Sequence, residues 1–344
     1  MSSTRHDVGT IAWVESPFQL LSAIEATFAG ALVPPVEVHL RGPTSTYRPL
    51  LDLVARHPVP SLRIWAASEP SVAADAGQWA TELAIGDLFS GQAAAILARC
   101  RDLDLVVLDD GSSTHRALEL VGRRTASLVR PRSSDAPARW AAGLIAHRLV
   151  RARSRGRMRA VSGLPILPGS QIAVRVDGHD FEWSRSVRVD VGFPDTDLVV
   201  LGTALAADGL IGRQHYDEWL RRQFDGSRGR AVYLPHRRDA THRSRQIRRL
   251  GGTVGSAGGL PVELVARNLA PGTRVVTLPS TTVMTVPLVA PDVRLECWDV
   301  PAYWWAPSAS PAVRRLVDGI ASSSSSTFDL FIESALRPVG STGR

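Results

Sequence analysis

The sequence contains no lysine, so all 40 of its basic residues are arginine. Schiff-base catalysis by a lysine amine and phosphate binding by a P-loop lysine are therefore excluded. Only two cysteines occur, Cys100 and Cys297, and both lie in apolar stretches. This pattern indicates buried thiols in a reducing compartment rather than a disulfide framework or a metal site. No uncharged apolar run reaches the roughly 18 residues that predict a transmembrane helix.

Motifs of metal sites and hydrolases are also missing. The sequence has no H-E-x-x-H, C-x-x-C or G-x-S-x-G, which favours a reaction without metal or cofactor and argues against a hydrolase. The polar residues 2–7 lack the apolar core of a signal peptide, so we expect a cytoplasmic protein. The net charge of +7 favours anionic partners such as phosphates, activated donors or a membrane surface. Because no nucleic-acid-binding motif accompanies the charge, no nucleic-acid partner is expected.

Apolar strands alternate with helical segments throughout the chain. Strands are predicted over 11–14, 36–40, 62–65, 103–108, 198–201, 231–234, 275–278 and 295–298. Apolar strands separated by helices indicate parallel sheets covered on both faces. With 344 residues, 44% of them hydrophobic, the chain is long enough for two such domains. We therefore predict an α/β protein whose two Rossmann-like domains, 1–190 and 191–344, face a central cleft.

Several other segments receive specific predictions. Residues 78–100 are expected to form one helix, and 328–336 a terminal helix preceded by a flexible serine-rich connector over 322–326. The alternation of apolar strands and helical segments is not recognisable over 130–168. A linker between the domains is expected near 160–195. The arginine-rich run 148–159 is interpreted as a solvated linker or surface helix. A peripheral contact with the anionic inner face of the cell membrane is the alternative.

Polar residues directly follow several of the predicted strands. They are Asp109, Asp110 and Gly111 after one strand, and Gly202 with Thr203, His236, and Ser280 with Thr281 after three others. In doubly wound sheets, ligands bind beyond the carboxyl ends of the strands. The coincidence of these positions with strand ends predicts a functional site.

The acidic pair and the histidine are the candidates for acid/base chemistry. One carboxylate of an adjacent pair can have a raised pKa and act as a base, and Gly111 permits a turn that projects it. A solvated turn is the alternative. His236 can stabilise a phosphate oxygen, or it is a surface histidine in a basic turn. Ser280 and Thr281 can bind an anion through hydroxyls and backbone amides, or they simply cap a helix.

Two other segments contribute candidate residues. Glu263, at the start of a predicted helix, could accept hydrogen bonds from ribose hydroxyls. The residues alone favour the simpler alternative, in which it stabilises the helix dipole. Ser16 is a good helix cap with Pro17 at the first helical position, and Gln19 follows in the first turn of that helix.

Taken together, five motifs resemble those of bacterial sialyltransferases. They are Glu15–Glu25 (ESPFQLLSAIE), Leu108–Gly111 (LDDG), Tyr233–His236 (YLPH), Leu260–Glu263 (LPVE) and the pair Ser280–Thr281. The set is most similar to glycosyltransferase family 52, the lipooligosaccharide sialyltransferases, and related motifs occur in bacterial polysialyltransferases. The resemblance runs from about residue 10 to about residue 300 in the same order. Each motif is short, so the specificity lies in the set.

The resemblance implies a GT-B-like fold and an inverting transfer of sialic acid, or a related acidic sugar, from its CMP-activated donor to a hydroxyl of a glycan acceptor. The acceptor would bind the N-terminal domain and the CMP-sugar the C-terminal domain. By this likeness Asp110 is the general base, with Asp109 as second choice, and His236 contacts the CMP phosphate. The remaining implied substrate-binding residues are Glu263 for the ribose, Ser280 and Thr281 for the phosphate, and Ser16, Gln19, Gly111, Gly202 and Thr203.

The chain departs from the family pattern at two positions, and two other functions remain open. Arg237 stands where the His-Pro motif has proline, and Thr281 replaces the second serine. One alternative function is a GT-B transferase or epimerase that uses a UDP- or GDP-sugar. The other is a non-catalytic relative that binds nucleotide sugars. A homodimer is compatible with all three.

Overall fold

The computed structural model describes residues 8–130, 137–164, 172, 174–190, 192–193, 196–225, 227, 230–236, 238–239 and 241–335. The strands are β1 Thr10–Val14, β2 Val36–Leu40, β3 Leu62–Trp65, β4 Glu82–Ile85, β5 Asp104–Leu108, β6 Met158–Ser162, β7 Arg175–Gly178, β8 Leu198–Leu201, β9 Ala231–Leu234, β10 Thr253–Val254, β11 Arg274–Thr277 and β12 Arg294–Cys297. The helices are α1 Pro17–Phe28, α2 Arg48–Arg56, α3 Pro70–Ala76, α4 Gly91–Arg99, α5 Ser112–Gly122, α6 Pro137–Arg151, α7 Glu182–Ser186, α8 Ala204–Ala207, α9 Arg213–Asp225, α10 Thr241–Arg249, α11 Val262–Arg267, α12 Thr282–Val289 and α13 Pro311–Ala335.

The chain divides into two compact units by its internal contacts. The first comprises Met1–Pro194, Ser256–Ala270 and Leu288–Pro291, and the second comprises Asp195–Gly255, Pro271–Pro287 and Asp292–Arg344. The assignment of acceptor and donor binding to domains 1–190 and 191–344 stays a prediction.

Each unit contains one parallel sheet. The strand order is β3-β2-β1-β4-β5-β6-β7 in the first unit and β10-β9-β8-β11-β12 in the second. All paired strands of both sheets run parallel. Counted from its own first strand, each sheet contains the order 3-2-1-4-5 found in Rossmann folds. The predicted α/β class with two Rossmann-like domains is therefore confirmed, while the GT-B-like arrangement around a central cleft stays a prediction.

The alternation of side chains along β5 shows why the first sheet is covered on both faces. Leu105 and Val107 pack into a core that includes residues of α3, α4, α5 and α6. Val106 and Leu108 pack into the opposite core, with residues of α1, α2, α7 and α11. Because successive strand residues point to opposite faces, a continuous apolar run needs helices on both sides.

The prediction of a single helix over 78–100 is wrong. Strand β4 lies in the middle of this range, and α4 begins only at Gly91. A short buried apolar run fits a strand as well as it fits a helix. Two residues mark the boundary between the elements: Gly86 directly follows β4, and Ser90 caps α4 by accepting hydrogen bonds from two backbone N–H groups of its first turn.

The linker expected near 160–195 is also wrong, because the end of β6, β7 and α7 lie in this range and both strands belong to the first sheet. The arginine-rich run is only partly solvated. Arg148 is exposed on α6, as the surface-helix interpretation expects. Arg153 is buried instead, and its Nη2 donates to the carbonyls of Leu97 at 3.1 Å and Cys100 at 2.7 Å. The guanidinium thereby satisfies carbonyls left without partners near the end of α4.

The serine run 322–326 lies inside α13, so the prediction of a flexible connector is wrong. Ser322 Oγ donates to the carbonyl of Asp318 at 2.9 Å, one turn earlier. Such back-bonding lets serine sit within a helix although its intrinsic propensity is modest. Residue 336 of the predicted terminal helix lies outside the described residues. No helix in the described part of the chain is long and apolar enough to cross a bilayer.

Candidate active site

The two adjacent aspartates at the end of β5 have different environments. Asp109 is fully buried, with 0% of its surface exposed. Its carboxylate accepts hydrogen bonds from Ser162 Oγ at 2.6 Å and from the backbone N–H of Gly163 at 2.8 Å. Both donors stand at the end of β6, so Asp109 ties the two strands together. Burial raises the pKa of Asp109 to about 7, although these hydrogen bonds oppose the shift.

A buried histidine lies beside Asp109. The distance from His179 Nε2 to Asp109 Oδ2 is 3.9 Å, which is too long for a hydrogen bond. Neither ring nitrogen of His179 has a hydrogen-bond partner among the described residues. Burial lowers the pKa of His179 to about 4. Between these two pKa values both groups are neutral, so the contact is not an ion pair.

Asp110, by contrast, is accessible at the surface, with 16% of its side chain exposed. Oδ1 accepts a hydrogen bond from Gln19 Nε2 at 2.8 Å, and Oδ2 lies 3.3 Å from Arg130 Nη2. Gly111 follows with φ +69° and ψ −146°, a conformation that glycine adopts readily and other residues do not. Of the two aspartates, Asp110 is the one whose carboxylate can reach a ligand.

Gln19 is held in place by its neighbours. Ser16 Oγ accepts a hydrogen bond from the backbone N–H of Gln19 at 3.2 Å, which caps α1 as predicted. Gln19 Oε1 accepts from the backbone N–H of Glu15 at 2.8 Å, so the amide nitrogen is the end that faces Asp110. Gly86 makes room for this arrangement, because a Cβ there would lie 2.4 Å from Gln19 Oε1.

Two charged residues near Asp110, at the carboxyl ends of the strands of the first sheet, belong to none of the sequence motifs. Arg130 Nη2 donates to Asp87 Oδ2 at 2.6 Å in addition to its contact with Asp110. A shallow depression beside these groups is lined by residues that include Asp87, Asp110 and Thr114. Among the described residues, no group of three or more His, Cys, Asp or Glu side chains is placed to hold a metal ion.

In the second unit, the loop after β9 holds His236 in a defined orientation. The backbone N–H of Arg238 donates to His236 Nδ1 at 3.2 Å, so the neutral ring carries its proton on Nε2. The backbone N–H of Asp239 donates to the His236 carbonyl at 2.7 Å. The Asp239 carboxylate accepts from the Tyr233 hydroxyl and pairs with Arg243 Nε at 2.7 Å. A neutral His236 therefore has an Nε2–H group suited to an anion.

Gly202 and Thr203 stand at the end of β8, next to this loop. The backbone N–H of Gly202 donates to the carbonyl of Leu234 at 2.8 Å. A Cβ on Gly202 would lie 2.4 Å from the backbone nitrogen of His236. Thr203 is buried, and its Oγ1 accepts from the backbone N–H of Leu205 at 3.1 Å, which caps α8. Gly202 thus allows the close approach of two strand ends, and Thr203 has a structural role.

Substitution of Gly202 by alanine is expected to displace the His236 loop, because the added methyl group meets backbone rather than a flexible side chain. Overpacking of this kind costs about 1–3 kcal/mol, and we expect the melting temperature, measured by calorimetry, to fall by several degrees. The matched control is Gly319→Ala in α13, where a Cβ meets nothing within 4 Å and alanine favours the helix. Equal melting temperatures for the two variants would contradict the predicted clash.

Ser280 and Thr281 stand at the amino end of α12. Ser280 Oγ and Thr282 Oγ1 are 2.6 Å apart, and the Thr281 carbonyl accepts from the backbone N–H of Met284 at 2.9 Å. Glu263 is buried in the first turn of α11, within a segment that belongs to the first unit. This position suits the helix-dipole alternative, and the ribose contact stays a prediction. Arg237 lies outside the described residues.

The candidate residues therefore form two groups, one in each unit. Those in the first unit are Ser16, Gln19, Asp109, Asp110, Gly111 and Glu263, and those in the second are Gly202, Thr203, His236, Ser280 and Thr281. The structure brings Gln19 and Asp110 into contact in the first unit, and Gly202 and His236 in the second.

No family model and no curated protein matches the chain. Solved structures match it at low identity. UGT71G1 of Medicago truncatula, complexed with UDP-glucose, is 10% identical with a TM-score of 0.45, over 94% of this chain and 95% of its own. The ADP-heptose LPS heptosyltransferase II of E. coli is 12% identical with a TM-score of 0.39, over 93% and 100%. The E. coli heptosyltransferase WaaC with ADP is 13% identical with a TM-score of 0.38, over 90% and 99%.

Proposed function

We propose that the protein is an inverting glycosyltransferase that moves sialic acid, or a related acidic sugar, from a CMP-activated donor to a hydroxyl group of a glycan acceptor. The observation that carries the proposal is the carboxylate of Asp110, which stands at the carboxyl end of β5 and is oriented by Gln19 and Arg130. The motif set supports the choice of donor. We place the activity in the cytoplasm, and a homodimer and a peripheral membrane contact stay predictions.

In the proposed reaction, Asp110 accepts the proton of the acceptor hydroxyl as its oxygen attacks the anomeric carbon of the donor. The new glycosidic bond forms while the bond from that carbon to the phosphate oxygen breaks. CMP departs with the bonding electron pair, and attack from the opposite face inverts the configuration. A positioned base of this kind contributes about 10²–10⁴-fold to the rate.

The phosphate of departing CMP is stabilised by residues of the second unit in this proposal. His236 donates from Nε2 to a phosphate oxygen, which its Nδ1 contact with the Arg238 backbone favours. Ser280 and Thr281 supply hydroxyl donors at the amino end of α12, where the helix dipole favours negative charge. Glu263 binds the ribose hydroxyls.

The donor class is tested by thermal shift with a panel of CMP, CDP, UDP, GDP and ADP. We expect only CMP and CDP to stabilise the protein. At a hundredfold excess over Kd the stabilisation is about 2.7 kcal/mol, which corresponds to a melting shift of several degrees. Stabilisation by UDP or GDP instead would favour the other transferase or epimerase function. Hydrolysis of CMP-sialic acid without acceptor would argue against a non-catalytic protein.

A further inference from the structure

We propose that Asp87 and Arg130 form a positioning pair that sets both the orientation and the basicity of Asp110. The inference rests on the proposed function, in which Asp110 is the general base. It adds two residues that act through Asp110 rather than on the substrate. Both come from segments outside the sialyltransferase-like motifs, one after β4 and one after α5.

Asp87 is the fixed end of the pair. Its side chain is only 6% exposed, and Oδ1 accepts a hydrogen bond from the backbone N–H of Phe89 at 2.9 Å. Oδ2 holds Arg130 Nη2 at 2.6 Å, and the same nitrogen lies 3.3 Å from Asp110 Oδ2. One guanidinium nitrogen therefore bridges two carboxylates that follow neighbouring strands. With Gln19 on the other oxygen, the Asp110 carboxylate is held from two sides.

The pair places a positive charge within 4 Å of the Asp110 carboxylate. Among the described residues, the charged or titratable groups that follow these elements are Glu15 after β1, Arg41 after β2, Asp87 after β4, Asp109 after β5, Arg130 after α5 and His179 after β7. Glu15 and Arg41 pair with each other at 2.7 Å. Asp109 and His179 are buried and neutral between about pH 4 and about pH 7. Of these groups, Arg130 places its charge 3.3 Å from the Asp110 carboxylate, and Asp87 shares that charge.

Removing Arg130 and removing Asp87 should shift the acid limb of the pH–rate profile in opposite directions. In Arg130→Gln, Asp110 is left beside the negative charge of the Asp87 carboxylate, which raises the pKa of Asp110. The acid limb therefore moves about one pH unit higher. In Asp87→Asn, the full charge of Arg130 acts on Asp110, and the acid limb moves about one unit lower. The base is then weaker, so the plateau value of kcat should also fall. A purely structural role would not produce shifts of opposite sign.

The measurement is kcat and KM for transfer from CMP-sialic acid to a fluorescently labelled glycan acceptor across pH 4–9, with melting temperatures recorded for each variant. Arg130→Lys keeps the charge and should return the acid limb toward the wild-type position, even if Arg130→Gln folds poorly. The double variant lacks both charges and should show a wild-type limb with reduced kcat, because Arg130 no longer orients the base. The matched control is the exposed pair Arg99–Asp75, 2.5 Å apart, whose variants Arg99→Gln and Asp75→Asn should leave the profile unchanged.

The inference would be overturned if the acid limbs of Arg130→Gln and Asp87→Asn stayed in place or moved in the same direction. It would also be overturned if the variants changed only KM, because Arg130 would then be a substrate ligand. Asp110→Asn separates this failure from failure of the proposed function. If Asp110→Asn transfers sugar at the wild-type rate, the proposed base is wrong. If it is inactive while the pair variants show no opposite shifts, only the positioning pair is wrong.

Discussion

Replacement of Asp110 by asparagine is expected to lower kcat for sugar transfer by about 10²–10⁴-fold, the usual contribution of a positioned general base. Asparagine keeps the shape of the side chain and can still accept the hydrogen bond from Gln19 Nε2, which is 2.8 Å long in the wild-type protein. It cannot accept a proton from the acceptor hydroxyl. Binding of CMP should be unaffected, because in the proposed mechanism the nucleotide contacts His236, Ser280, Thr281 and Glu263.

The measurement is single-turnover transfer from CMP-sialic acid together with the thermal shift produced by CMP. Asp104→Asn is the matched control, because Asp104 lies on the same strand, β5, with 59% of its side chain exposed. The control should retain wild-type turnover. A large loss of the CMP-dependent shift in Asp110→Asn would indicate a folding or binding defect, and wild-type turnover in this variant would exclude Asp110 as the base.

The aspartate pair shows how far the sequence alone could define the site. The apolar run before Asp109 and the glycine after Asp110 predict a strand end with two carboxylates, and the structure has both. The sequence does not determine which carboxylate is buried. That choice depends on Ser162 and Gly163, more than fifty positions away, whose donors reach only Asp109. Neighbouring residues of an extended chain point to opposite sides, so one aspartate faces these donors and the other does not.

Asp87 and Arg130 could not be identified from the sequence for a different reason. Three of the four residues of β4 are apolar and are compatible with a helix. The single helix predicted over 78–100 therefore leaves out the strand end that Asp87 follows. The signal that could have revealed it is the Gly86–Asp87 pair directly after the apolar run. Arg130 has no local signal, because its role depends on contacts with two residues that follow different strands.

The second large effect concerns the stability of the buried pair Asp109–His179. On folding, Asp109 gains a proton, because its pKa rises from 3.8 to about 7. His179 loses one, because its pKa falls from 6.5 to about 4. Between pH 4 and about pH 6.5 the folded and unfolded chains thus bind the same number of protons at this pair. Its contribution to the free energy of unfolding is therefore nearly independent of pH in the wild-type protein.

Asp109→Asn should remove this compensation. Only His179 then titrates: it is neutral when folded and protonated when unfolded, so the unfolded state binds more protons. The free energy of unfolding should consequently fall as the pH is lowered from 6.5 to 4, by up to about 3 kcal/mol relative to wild type. Asparagine can still accept from the Gly163 backbone and donate to Ser162 Oγ, so the strand contact is retained.

His179→Leu should reveal the opposite dependence. Asp109 alone then binds a proton in the folded state, so the free energy of unfolding should fall as the pH rises from about 4 to about 7, by about 4 kcal/mol. Urea denaturation at four pH values, read as the difference from wild type, isolates the pair from other titrating groups. Asp104→Asn is again the control and should show no such slope. Slopes of the same sign in Asp109→Asn and His179→Leu, or no slope in either, would contradict the opposite pKa shifts of the two buried groups.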